Sequence, residues 1–365
     1  MATTKKTRMA GALAGAMAAL ALLPGQSLAA PRVHPAFATQ AMWIWELPET
    51  EQGSLQRIIA RARAHRIGAV YIKAADAGNR WSQFSPAVVA RLKAAGLRVC
   101  AWQFVYGTRP VAEAAAGAAA RRNGAECLII DAESAYEGKY RSAATYMREL
   151  RSRVGSSYPL GFTSFPYVSY HSTLPYSVFL GSRGAQVNMP QVYWRDIGTT
   201  VTTAMTRTWR ENRIYGRPIV PIGQTYQSAP TADIRRFRAF ARAWSAPGYS
   251  WWVWNTTSAG QWNALASSSV PSIEPGDPGW PVLARGAQGD PVRQGQRLLI
   301  AAGYEAVEAN GIFGSVTAAS VRAFQQSRDI PVTGSLNAAT WPALMKSAAA
   351  RMTRAHRAAA ATRSR

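Results

Sequence analysis

The sequence predicts an α/β fold, a (β/α)8 TIM barrel followed by a small all-α module of three helices. Three observations carry this expectation. Between residues 41 and 256, eight short apolar or aromatic runs recur about every 30 residues, separated by helix-like intervals, which is the pattern of a barrel of alternating strands and helices. A Pro-, Ser- and Gly-rich stretch without periodicity follows at 268–279 and reads as an exposed linker. Beyond it, the spacing Gly311, Phe313, Thr317 reappears as Gly334, Leu336, Thr340, each copy leading into a helical pattern.

The predicted strands are residues 42–47, 69–75, 98–106, 127–133, 159–165, 185–194, 218–226 and 249–255. Gly68, Gly96, Gly124, Gly155 and Gly248 stand where the intervening helices should end. No Gly-rich phosphate fingerprint follows the first strand, which disfavours an open dinucleotide-binding sheet. The predicted organisation is 1–30 signal peptide, 31–267 barrel, 268–279 linker, 280–347 helical module and 348–365 a disordered basic tail.

The signal-peptide reading rests on Lys5, Lys6 and Arg8 before a short apolar stretch, followed by small residues up to Ala30. That stretch is too short for a bilayer span, so no stable membrane span is expected after cleavage, and the expected location is secreted or cell-wall. The 42 basic and 19 acidic residues give a net charge of +23, and removal of residues 1–30 leaves +20. Outside the cytoplasm, the polyanions available to such a surface are cell-wall polymers and lipid headgroups. No nucleic-acid-binding signature is present, and nucleic acid is not an expected partner. The four histidines and two cysteines form no zinc-type cluster, and neither a metal nor another cofactor is expected. Cys100 and Cys127 fall on adjacent strands and are expected as two buried thiols, because neighbouring parallel strands seldom hold disulfide geometry.

In such a barrel, reactive groups sit where strands end at the C-terminal face. The fourth strand ends in Asp131-Ala132-Glu133, and two-residue spacing points both carboxylates to one face, where each biases the proton affinity of the other. This is an acid/base arrangement suited to glycoside hydrolysis, with Glu133 as proton donor and Asp131 as its partner. Polar and aromatic residues at other strand ends are candidates for substrate binding: Lys73 and Asp76, Gln191 and Tyr193, and the aromatics Trp45, Trp102 and Trp254, whose rings could stack on sugars.

Residues 280–346 resemble the peptidoglycan-binding domain found on wall hydrolases. The matching residues are Leu283, Gly286, Gly289, Gly311, Phe313, Gly314, Thr317, Val321, Phe324, Gln325, Thr340, Trp341 and Leu344. Asn310 replaces the usual acidic residue, and Gly295 stands where the first helix normally presents a core Leu. More loosely, residues 41–263 resemble the glycoside hydrolase family 25 lysozymes, through YIKAADAG, GLRVCAWQF, LIIDAE and WWVWNTTSAG. The family's first-strand Asp has no counterpart, Glu46 being the only acid there, and its Asp before the last strand is also missing. The D-x-E and Tyr193 equally resemble family 18 chitinases, in which the substrate's own acetamido group attacks. The resemblances imply an exported muramidase acting on peptidoglycan strands, with peptidoglycan and anionic wall polymers as partners. A non-catalytic wall-binding scaffold and a glycosidase on another N-acetylated polymer such as chitin are the alternatives.

Overall fold

The computed structural model describes residues 33–363, and the predicted signal peptide lies outside the described residues. Eight strands run parallel: β1 Gln40–Ile44, β2 Ala69–Asp76, β3 Arg98–Val105, β4 Cys127–Ala132, β5 Leu160–Ser164, β6 Val187–Pro190, β7 Ile222–Gln224 and β8 Tyr249–Trp252. They pair in chain order, β8 returns to β1, and the gap between β6 and β7 is bridged at Asn188–Ile219 and Gln191–Ile222. A two-residue arm, Asn79–Arg80, pairs antiparallel with the end of β2. The predicted strand 185–194 is thus reduced to four residues. Pro190 supplies no backbone N–H to continue a ladder, and Pro218 and Pro221 shorten the next run in the same way.

Helices follow the strands: α1 Leu55–Ala64, α2 Pro86–Ala94, α3 Pro110–Arg122, α4 Tyr140–Val154, the one-turn α5 Tyr176–Phe179, α6 Val201–Asn212, α7 Thr231–Ala243 and α8 Ala259–Ala266. Strand side chains alternate between two cores. Val99, Ala101, Leu128, Ile130 and Phe162 face the helices, whereas Trp43, Tyr71, Cys100, Trp102, Ile129 and Met189 fill the barrel. Phe37 closes the lower end beside Tyr71, whose hydroxyl donates to the Ala36 carbonyl at 2.7 Å. The expectation of free thiols fails here. Cys100 and Cys127 are direct register partners, both point inward, and with Cα atoms 4.7 Å apart they form a disulfide.

Residues 267–289 contain no helix or strand. Three further helices follow: α9 Asp290–Ala302, α10 Ser315–Gln326 and α11 Thr340–Arg363. The repeated glycine and threonine have a shared partner that spacing alone did not reveal. Gln296 accepts from the Gly311 N–H at 2.8 Å and donates to Thr317 Oγ1 at 3.1 Å, and Gln325 accepts from the Gly334 N–H at 2.9 Å and donates to Thr340 Oγ1 at 2.9 Å. Each buried glutamine therefore ties a left-handed glycine turn to the first turn of the next helix. Gly295 is also explained. A Cβ there would lie 2.3 Å from the Leu336 side chain, which occupies the space a leucine at 295 would need. Residues 348–363, expected as a disordered tail, continue α11 as helix, in keeping with their alanine content.

This C-terminal region is seated on the barrel rather than swinging from a strand of linker. Asp290, fully buried, accepts from Ser177 N (2.8 Å), Ser177 Oγ (2.7 Å) and Tyr215 Oη (2.9 Å), while its own N–H donates to Ser172 O. Arg293 lies over the Tyr140 ring at 4.1 Å, and Arg213 joins Asp277 at 2.7 Å and covers the Trp280 ring at 3.9 Å. Among the described residues, no helix is long and apolar enough to cross a membrane.

Two outcomes follow from these contacts. Gln325→Leu leaves the Thr333 and Gly334 N–H groups without their acceptor and should destabilise the C-terminal helices by about 2 to 4 kcal/mol, read as accelerated hydrogen exchange over residues 315–344. Burial raises the Asp290 carboxyl from 3.8 to about 6, against the opposing effect of its hydrogen bonds from Ser177 and Tyr215. Because the seated acid has the higher pKa, seating is strongest below about pH 4 and weakens by on the order of 3 kcal/mol as pH rises through 6. The protection factor of the Ser177 amide, taken against the intrinsic exchange rate at each pH, should fall across that window in the wild type and stay flat in Asp290→Asn.

Candidate active site

The C-terminal mouth of the barrel gathers the charged residues. Asp131 is the last inward residue of β4, and Glu133 follows it one step higher at the rim. Between them stands the Gln191 amide, donating from Nε2 to Asp131 Oδ1 at 3.3 Å and to Glu133 Oε1 at 3.0 Å. Gln191 is placed there by the closing bridge to Ile222 and by its own N–H bond to Ser164 O at 2.9 Å. Burial pushes the Asp131 carboxyl well above the usual carboxylate range; Glu133 and Asp76 raise it further, while Lys73 opposes them. Asp131 therefore binds a proton more tightly than a solvated carboxylate does.

Tyr193 stands beside the pair, with its ring edge-on to Tyr226 at 5.5 Å. Burial, Tyr226 and the two carboxylates push its phenol upward, so its hydroxyl remains a donor. Tyr226 in turn donates to the Asp196 carboxylate.

Lys73 and Asp76 form a second constellation, and its existence depends on an irregularity. Three residues apart on a regular strand, they would face opposite sides; a bulge between Lys73 and Ala75 turns both into the mouth. Lys73 Nζ then lies 2.6 Å from Asp76 Oδ2, over the rings of Trp81 (4.5 Å), Trp102 (4.9 Å) and Trp45 (5.7 Å). The other Asp76 oxygen accepts from Tyr106 Oη at 3.1 Å. Tyr106 belongs to a loop organised by the buried Glu113, whose carboxylate accepts the backbone N–H groups of Tyr106, Gly107, Thr108 and Arg109 at 3.0 to 3.1 Å. Sequence reasoning missed this positioning role, although Glu113 three residues past Pro110, in the first turn of α3, was its visible signal.

The aromatics divide. Trp45 is 48% exposed at the rim and, with Trp252, Tyr226 and Glu46, lines a cavity of about 310 Å³. Trp102 is buried, its indole N–H donating to Ile44 O at 3.0 Å; it backs Lys73 and presents no free face. Trp254 does not join the site. It packs edge-on to Trp262 and donates to Glu51 Oε1 at 3.0 Å, because β8 ends at Trp252 and the chain turns before the alternation reaches 254. Trp252, two residues earlier on the same strand, takes that place and contacts Trp43, Trp45 and Trp102. Among the described residues, no group of three or more His, Cys, Asp or Glu is placed to hold a metal.

Residues 288–344 match the family model described as "Putative peptidoglycan binding domain". The SleB N-terminal domain is 34% identical, over 19% of this chain and 93% of that one, with a TM-score of 0.18. The Bacillus cereus spore cortex-lytic enzyme SleL is 11% identical over 62% of this chain and 73% of that one, with a TM-score of 0.43. A class V chitinase from Pseudomonas fluorescens Pf-5 is 12% identical over 62% of this chain and 98% of that one, with a TM-score of 0.47. No curated protein sequence matches the chain. The likeness of the barrel to family 25 lysozymes therefore rests on the sequence motifs alone.

A buried acid with a raised pKa costs folding free energy at any pH where the unfolded chain ionises it. Asp131→Asn keeps the acceptor for Gln191 and removes that cost. Its melting temperature should exceed the wild type's by a few degrees at pH 8, with the difference shrinking toward zero near pH 4. Equal melting temperatures at both pH values would contradict the assigned shift.

Proposed function

We propose that the protein is an exported cell-wall glycosidase of muramidase type, cutting the glycan strands of peptidoglycan, with Glu133 as proton donor and the C-terminal region holding the wall. The observation that carries this reading is the Asp131–Glu133 pair bridged by Gln191 at the barrel mouth, beside an aromatic cavity with space for a sugar ring. Glu133, half-buried at the rim, is the carboxyl placed to reach a glycosidic oxygen.

The other mouth groups fit an acetamido-assisted cleavage. The Asp76 carboxylate is engaged by Lys73 and Tyr106, and that of Asp196 by Tyr226, whereas the Gln191 amide joins the Asp131 and Glu133 carboxyls and Tyr193 lies within electrostatic range of both. In this reading, Glu133 gives its proton to the leaving oxygen as the C1–O bond breaks, and the substrate's N-acetyl oxygen, positioned by Tyr193 and Asp131, closes on C1. Water then opens that ring, attacking C1 and returning a proton to Glu133. The raised proton affinity of Asp131 suits its carboxylate to accept the hydrogen bond, or the proton, of the acetamido N–H as positive charge develops there, and to return it when water opens the ring.

Glu133→Gln preserves shape and the Gln191 contact but has no transferable proton. Reducing-end release from purified peptidoglycan should fall by about 10² to 10⁴ in kcat with little change in binding. Equal rates in wild type and variant would remove Glu133 from the chemistry. Absence of release from peptidoglycan and from chitin by the wild type would instead favour a wall-binding scaffold.

A further inference from the structure

The end of the barrel opposite the carboxylate pair carries a cluster that the proposed function does not use. The C-terminal part of α4 and the segments leading into β5, β6 and β7 enclose a cavity of about 370 Å³. Four arginines line it, Arg148, Arg151, Arg183 and Arg217, with serine hydroxyls from Ser156 and Ser182 and no acidic side chain.

Two of these guanidinium groups are held rigidly. Arg151 donates to the carbonyls of Arg183, Gly155, Tyr158 and Gly184 at 2.6 to 3.2 Å, and Arg217 donates to Leu180 O at 2.9 Å and to Gly181 O. Carbonyl oxygens satisfy the N–H groups but bring no net negative charge. No carboxylate lies within ion-pair distance of Arg151, Arg183 or Arg217 among the described residues. Burial lowers the Arg151 pKa to about 10 and lowers Arg217 as well, and the proximity of Arg217 adds to the effect on Arg151. Two desolvated cations that repel each other and lack a counter-charge are unfavourable unless an anion completes the site. The Arg217 Nη1 group, the Arg183 guanidinium and the Ser156 and Ser182 hydroxyls remain to bind it.

We propose that this cavity is an anion site that takes a phosphate group, supplied by a phosphodiester polymer attached to the wall. Planar guanidinium forks match tetrahedral oxyanions, and the open groups of Arg217 and Arg183, in the field of the saturated Arg151 and of Arg148, itself 3.6 Å from Glu149, suit a polyvalent phosphate better than a lone carboxylate. The assignment of phosphate rests on the cavity alone. The polymer as its source rests also on the wall location in the proposed function, and is independent of whether the barrel cleaves glycan.

The test uses the full chain, the variant Arg148→Ala/Arg183→Ala, whose side chains support no neighbouring backbone, and an equal-charge control, Arg91→Ala/Arg122→Ala. At constant ionic strength, tripolyphosphate should raise the melting temperature of wild type and control and bind the cavity variant roughly tenfold more weakly. In sedimentation with wall sacculi, wild type should be retained less on walls stripped of phosphodiester polymers by hydrofluoric acid, whereas the cavity variant should bind native and stripped walls alike. Equal tripolyphosphate affinity in cavity variant and control overturns the site. Tripolyphosphate binding confined to the cavity, with retention of wild type indifferent to stripping, overturns the polymer and leaves a site for free phosphate. Loss of glycan cleavage without change in either measurement bears on the barrel chemistry and not on this site.

Discussion

Two carboxylates on one face of one strand, two residues apart and sinking into a barrel, cannot both ionise without cost. The arrangement of the mouth follows from that constraint. Gln191 places its amide between them, which is possible only because the chain after β6 is drawn against Ile222 to close the barrel. Lys73 moderates the field from the second strand, and a bulge is required to aim it there. Asp76 fixes Lys73, Tyr106 fixes Asp76, and Glu113 fixes the loop that carries Tyr106. Each of these groups is thereby held by a neighbour one step further from the carboxylates.

The parts of this architecture visible in the sequence are those set by local period. Strand runs such as AVYIKAA and CLIIDA keep their register because inward and outward residues alternate between two apolar cores, and Asp131 with Glu133 could be placed on one face from spacing alone. What escaped is what breaks the period. The bulge at Ala74 shifts a face by one residue and the early end of β8 at Trp252 stops the alternation, which explains how Lys73 meets Asp76 and why Trp252 rather than Trp254 reaches the mouth. The disulfide escaped for a different reason. Its geometry depends on how closely two parallel strands approach at one register pair, a distance that neither cysteine's neighbours encode.

The helical region shows the same division. Its glycine and threonine spacing announced a repeated unit, while the glutamines that make the unit work, Gln296 and Gln325, lie one helix upstream of the residues they bind. Its seating on the barrel through Asp290 has no local signature, since Ser177 and Tyr215 come from distant segments. A seated region holds the barrel in a defined orientation to whatever it grips, so that binding and any reaction at the mouth are geometrically linked rather than loosely tethered.

The most direct test of the central claim is mass-spectrometric analysis of the new ends produced when the full chain acts on purified peptidoglycan. The account predicts glycan fragments ending in reducing N-acetylmuramic acid. Protein that sediments with the wall yet releases no reducing N-acetylated sugar from it would contradict the assignment of the Asp131–Glu133 pair as a glycosidase site.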